Sequence, residues 1–328
     1  MRRGLFIGVV VLAAALVVGA WSLWRPGPAR ETVVDVPRGA PASRVLDVLH
    51  HRGLLPFPLT GRLYLALAGG GRELHYGRYR FAAGVRPVEV IRQVLEGRVA
   101  TVAVTVVEGA TLAEIAATMT AAGIGDAAGW REAGTHVEWL RPLVRNASSL
   151  EGFLFPDTYR FAEGTPAAIA AHAMVRRFLV VWGEETAGLD ELWGTPLQVV
   201  TLASLVEAET AVPGERPLIA GVFLHRLRLG MLLQCDPTVI YALKRRGAWW
   251  GSLSRADLAV DDPYNTYRYP GLPPGPIGSP GRQALRAALR PEPTPYLYFV
   301  ATPSGGHHFS RTLREHNRAV ARLRRSGR

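Results

Sequence analysis

The sequence holds one cysteine, Cys235, so no disulfide can close within the chain and a thiolate zinc site would lack its other ligands. Lysine is equally scarce: Lys244 stands alone among 38 basic residues. Arginine in its place reads as the imprint of a GC-rich genome and carries no functional meaning. Familiar catalytic signatures are missing as well. There is no HExxH helix, no G-x-S-x-G elbow and no glycine-rich phosphate loop, and "GGHHFS" lacks the Walker pattern. His307 and His308, as neighbours in a strand, point to opposite faces, so neither they nor His316 are expected to hold a metal. No recognisable nucleic-acid-reading module occurs, which leaves a net charge of +11 without a specific reader.

What is present is substantial. A chain of 328 residues with 48% apolar content can bury a real core and form two or three domains. Its basic surface should attract polyanions: nucleic acid, anionic lipid headgroups or the acidic peptides of a cell wall. After Arg2 and Arg3, the run from Gly4 to Trp24 carries no charge. It matches the roughly 20 residues a helix needs to cross a bilayer, and Trp21 and Trp24 fall where an interfacial aromatic belt would sit. Val18-Gly19-Ala20 would suit a signal-peptide cleavage site, but the run is longer than a typical signal core, so an uncleaved anchor is expected. "RPGPAR", Arg25 to Arg30, then reads as a tether.

An internal duplication follows. "VDVPRGAPASRVLDVLHHRGL", from Val34, aligns without a gap to "VTVVEGATLAEIAATMTAAGI", from Val104. Each copy predicts a strand, a Gly-Ala turn and a helix of apolar period 3.6 that closes on Gly53 or Gly123. The pattern resembles LysM-like modules, which implies contact with N-acetylated glycans. From Glu151 onward the character changes to helices joined by long loops rich in Pro, Gly and aromatics, and such loops usually carry function. The expected fold class is α+β, with a transmembrane helix, a LysM-like strand-turn-helix region and a mixed α/β C-terminal domain.

The stretch "TPLQVVTLASLVEAETAVPGER" places Glu207 and Glu209 at the end of a helix that is apolar nearly all round, hence buried. On the helical wheel the two lie about 160° apart, so they cannot face one cleft together. Burial raises a carboxyl pKa and makes a proton donor near neutral pH. Periodicity does not choose between them, nor does it exclude frayed carboxylates paired with Arg216. Further along, Gln234 and Asp236 precede a helix expected from Pro237, with Asp236 a natural N-cap. "YNTY", Tyr264 to Tyr267, joins aromatic faces to an amide, a combination that stacks on a pyranose and hydrogen-bonds its N-acetyl group.

"EGFLFPDTY", "LASLVEAET", "FLHRLRLGMLLQCDPTVIYAL", "YNTYRYPGLPPGPIGSPG" and "PYLYFVATPSGGHHFSRTLREHN" resemble the endolytic murein transglycosylases, the MltG or YceG-like family. The resemblance runs from about Val34 to Val320. It implies a transmembrane anchor over residues 1–24, a linker over 25–33, a LysM-like region over 34–150 and a catalytic domain over 151–328. It implies a single-pass protein of the bacterial inner membrane with its catalytic domain periplasmic or extracytoplasmic. The implied activity is lytic cleavage of the MurNAc-β-1,4-GlcNAc bond of nascent peptidoglycan strands, giving 1,6-anhydro-MurNAc ends and terminating elongation. Glu207 takes the catalytic position under this resemblance, with Glu151, Gln234, Asp236, Tyr264, Asn265, Thr266 and Tyr267 as substrate-binding residues. Tyr267, Asn265 or Gln234 would orient the N-acetyl group and the muramic ring. No metal, cofactor or nucleic acid is implied; the partners are glycan strands and cell-wall synthases, the penicillin-binding proteins. The competing expectation is a non-catalytic, membrane-anchored peptidoglycan-binding scaffold for those synthases.

Overall fold

Both copies of the duplicated segment form a strand, a turn and a helix in the computed structural model, which describes residues 14, 17–19, 21–67, 74–303 and 305–326. In the first copy β1 (Thr32–Val36) leads to α1 (Ala42–His51); in the second, β3 (Thr101–Thr105) leads to α4 (Leu112–Ala121). Each helix runs out onto a glycine in the left-handed region, Gly53 at φ 72° and Gly123 at φ 76°, a backbone conformation that a side chain would strain. The uncharged run from Gly4 to Trp24 lies mostly outside the described residues. Residues 17–19 and 21–24 are helical, and among the described residues no helix is long and apolar enough to cross a membrane.

The chain divides into two compact units, Met1–Val102 with Arg160–Gly164, and Ala103–Tyr159 with Thr165–Arg328. In the first, β1 pairs antiparallel with β2 (Gly77–Phe81), setting Val34 opposite Tyr79. Period-two alternation buries Val34, Val36, Tyr79 and Phe81 and leaves Asp35, Arg78 and Arg80 outside. The buried face meets Val45, Leu46 and Leu49 of α1 and Val90, Ile91 and Val94 of α3 (Pro87–Leu95). Helix α2 (Pro58–Leu67) packs on α1. The outer face carries the pairs Arg78–Asp35, Arg80–Glu31 and Arg80–Glu163, bridges that solvent and salt screen.

The second unit holds the helices α5 (Ala127–Ala133), α6 (Ala167–Thr186), α7 (Pro196–Glu209), α8 (Arg216–Arg228), α9 (Asp236–Arg245) and α10 (Arg282–Leu289), and one of them is buried along most of its length. That helix is α7. Thr195 and Gln198 close a capping box at its start, and every residue from Val199 to Val206 is buried. It packs against α8 and α10, and α10 packs in turn on α6. At that contact Glu185, 4% exposed, accepts from both Arg282 and Arg286. A hairpin of β5 (Tyr298–Ala301) and β6 (His307–Ser310), turning near Gly305, leads into the last helix, α11 (Leu313–Ser326). A third sheet pairs β3 with β4 (Thr158–Ala162), so that the whole is mixed α+β.

One close approach in this unit is testable. A Cβ at Gly221 of α8 would stand 2.0 Å from the carbonyl oxygen of Glu292, which is backbone and cannot swing aside. Gly221→Ala is therefore expected to lower stability by about 1–3 kcal/mol, read as a reduced denaturant midpoint.

Candidate functional site

Helix α7 ends in two carboxylates that leave it in different directions. Glu207 turns into the protein. Its Oε1 accepts from Arg216 Nη2 at 2.7 Å and its Oε2 from the Gly281 backbone N–H at 2.8 Å. The two side chains of the ion pair are 6% and 7% exposed. Arg216 also donates to Gln283 Oε1 at 2.9 Å, and Glu108 stands 3.9 Å from the same guanidinium. Glu207 thereby ties the first turn of α8 to the N-cap of α10. Burial raises its pKa, while the Gly281 N–H and Arg216 act the other way.

Glu209 faces a cleft of about 540 Å³, lined also by Arg226, Gln234, Asp236, Tyr267, Tyr298, His307, His316 and Asn317. Burial pushes its pKa up and the Asp236 charge adds to the rise, against a hydrogen bond from the Cys235 thiol. Asp236 begins α9 and does not cap it, because the N-cap is Cys235 and no side chain bonds the first turn. Its carboxylate accepts from the Tyr267 hydroxyl instead. Gln234 holds a φ of 52°, the only left-handed value among the described non-glycine residues. Such strain persists only where neighbours fix it. Here Arg226, itself buried, donates to the carbonyls of Leu232 and Leu233 at 3.1 and 2.8 Å, to Gln234 Oε1 at 3.4 Å and to Leu297 O at 2.6 Å. Its guanidinium also lies 4.9 Å from the Tyr298 ring. Glu215 holds His307 in place, accepting from its backbone N–H at 2.8 Å and meeting Nδ1 at 2.6 Å.

The structure thus brings together Gln234, Asp236 and Tyr267 around Glu209 and sets the other expected site residues apart. Asn265 is fully buried and its amide is engaged: Nδ2 donates to Leu258 O and Val260 O, and Oδ1 accepts from the Tyr267 N–H. It cannot reach a sugar. Thr266, 2% exposed, accepts from the Cys235 N–H and meets the Thr238 hydroxyl at 2.9 Å, which stitches this loop to the start of α9. Tyr264 and Glu151 border a second cavity of about 950 Å³, together with Tyr241, Arg245, Trp130 and one face of α4. Glu151 accepts from the Leu112 N–H at 2.9 Å and the Tyr241 hydroxyl at 3.1 Å, anchoring the start of α4, and burial lifts its pKa to about 7.

Arg226, Tyr298, His307 and His316 were not expected here, the histidines having been considered for metal alone. The signal for His307 was the period-two pattern of its strand, which turns it inward and His308 out. Chemically the cleft offers one carboxyl whose pKa burial raises, a second carboxylate bonded to a tyrosine, and hydrogen-bonding groups on rigid supports. That set suits acid/base work on a polar chain molecule.

The model of the YceG-like family matches residues 34–322. An endolytic murein transglycosylase of Bacillus subtilis (strain 168) is 30% identical over 302 residues, covering 87% of this chain and 83% of that protein. Another, from Streptococcus pneumoniae serotype 2, is 34% identical over 178 residues, which cover 52% of this chain and 32% of that longer protein. The crystal structure of a putative yceG-like protein from Listeria monocytogenes shares the fold with a TM-score of 0.58 and 29% identity, over 89% of this chain and 99% of that one.

Proposed function

The chain belongs to the YceG-like family, and from that footing we propose that it is an endolytic murein transglycosylase whose acid/base is Glu209. The observation that carries the assignment is that Glu209, not Glu207, shares the cleft with Gln234, Asp236 and Tyr267. Glu207 already accepts from Arg216 and Gly281 and does not line that cleft.

The lytic reaction needs only one carboxyl. Protonated Glu209 donates to the glycosidic oxygen as the bond to C1 of N-acetylmuramic acid breaks. The resulting carboxylate then takes the proton of the C6 hydroxyl while that oxygen closes on C1, forming the 1,6-anhydro ring and returning the enzyme to its starting state. No water enters. The oxocarbenium-like transition state is helped by groups that do not reorganise. The Asp236–Tyr267 pair supplies negative charge at one wall, and Gln234 offers an amide whose backbone is fixed by Arg226.

The test is the mass of the product from purified glycan strands. The lytic route gives ends lighter by one water than the reducing ends of a hydrolase. Reducing ends would assign hydrolysis, with Asp236 as the second carboxylate, and would overturn the single-carboxyl scheme.

On the same reading the uncharged run after Arg2 and Arg3 anchors the chain once in the bacterial inner membrane, with the rest of the chain extracytoplasmic. The two strand-turn-helix copies act as LysM-like holders of the glycan, and the enzyme works beside synthases on nascent strands.

A further inference from the structure

The net charge of +11 has no role in the cleft chemistry, and its densest expression is on one helix. Helix α11 carries Arg314, Arg318, Arg322 and Arg325, all exposed, at spacings that align them as one stripe. Between this stripe and β6 runs a groove of about 910 Å³. Leu313 and Asn317 line both the groove and the Glu209 cleft, so the two adjoin. Among the described residues the one carboxylate bordering the groove, Glu315, is turned to its own helix start, where it accepts from the backbone N–H groups of Arg311 and Thr312. It therefore does little to neutralise the stripe. Ser310 also borders the groove; it is 2% exposed and its Oγ has no hydrogen-bond partner among the described residues. A buried hydroxyl without a partner is costly unless a ligand or water supplies one.

We propose that this groove binds the carboxylates of the peptide stems borne by the glycan strand whose sugars occupy the Glu209 cleft. The proposal rests on the transglycosylase reading. The sugar backbone of such a strand gives arginines little to hold, whereas the stems attached to its muramic acids end in carboxylates and carry acidic side chains. Guanidinium groups match carboxylates in a planar, two-point fit. A row of exposed arginines suits a flexible peptide better than a single closed pocket would. Because the groove adjoins the cleft, a strand held by its stems presents its sugars to Glu209 at raised effective concentration. Charges at such a rim act chiefly on capture and fade with salt.

The experiment compares uncrosslinked strands bearing peptides with strands stripped by an amidase, using the full-length chain in detergent. The parent chain is expected to show a KM about tenfold lower for peptide-bearing strands, from two or more exposed charge pairs of modest worth each. Arg314→Glu with Arg318→Glu should bring that ratio to about one, Arg314→Lys with Arg318→Lys should keep most of it, and added salt should shrink it. Equal KM values in the parent, or a ratio unmoved by charge reversal, would overturn the proposal. Equilibrium binding of both strand preparations gives the same comparison without turnover. Peptide-dependent binding with no cleavage of either strand would keep the groove and remove the transglycosylase reading; cleavage without peptide dependence would do the reverse. If the doubly reversed variant loses binding to anionic phospholipid vesicles while neither chain distinguishes the strands, the stripe serves a membrane surface and the proposal fails.

Discussion

Glu209→Gln is expected to leave the chain folded and to lower the rate of strand cleavage by about 10²–10⁴-fold, the usual worth of a positioned acid/base. Gln fills the same space and still accepts from the Cys235 thiol, but it has no proton to give to a leaving oxygen. The pH profile carries the same information in a second way. Burial and the nearby Asp236 charge raise the Glu209 pKa above its ordinary value of 4.5. A raised pKa means that the proton-bearing form persists above the pH at which a free glutamate has ionised. The rate should therefore hold through the ordinary carboxylate range and fall as pH rises through the elevated pKa, with that basic limb set by Glu209. Steady-state rates against pH on purified strands, together with circular dichroism of the variant, check both parts. A folded Glu209→Gln chain that retained turnover would remove Glu209 from the chemistry.

How the two glutamates divide shows what the sequence could and could not reveal. The extent of α7, Pro196 to Glu209, was legible because Thr195 is a cap and Pro196 suits a first turn. The divergence of Glu207 and Glu209 was legible too, since residues two apart on a helix cannot share a face. Which of them meets the cleft was not. A helix apolar all round gives no polar side to identify, and the walls of the cleft come from Gln234, Tyr267, Tyr298 and His307, far along the chain. The family resemblance favoured Glu207, and the geometry favours Glu209.

The "YNTY" loop teaches a related lesson. Four polar and aromatic residues in a row read as a sugar-binding set, yet only Tyr267 lines the cleft. Asn265 and Thr266 are used to hold the loop itself, because a long loop without regular secondary structure must satisfy its own backbone groups. Tyr264 goes to the other cavity, where its ring meets that of Tyr241 at 4.8 Å. Arg226 was invisible for the opposite reason: in sequence it is one arginine among many, and only folding places the carbonyls of Leu232, Leu233 and Leu297 around it.

Arg216→Ala carries the largest expected effect on stability, about 3–5 kcal/mol, because it strands the buried carboxylate of Glu207 without its cation. The loss is structural in kind. The Arg216 guanidinium joins Glu207 at the end of α7 to Gln283 in α10, so its removal loosens three helices at once. Replacing both partners, Arg216→Met with Glu207→Leu, takes away the stranded charge along with its partner and should recover much of that loss, as a double-mutant cycle in denaturant would measure. The Gly281 N–H then loses its acceptor, so recovery is expected to be incomplete. The two single amide variants separate the acids by function. Glu207→Gln keeps a single oxygen, for either Arg216 or the Gly281 N–H, and turns an NH2 toward the other donor, so it loses one hydrogen bond along with the charge; its folded fraction should still cleave strands, with the deficit appearing in the denaturant midpoint. A fully folded Glu207→Gln chain without turnover, beside an active Glu209→Gln chain, would return the acid/base role to Glu207 and require the substrate to enter from the side of Gly281.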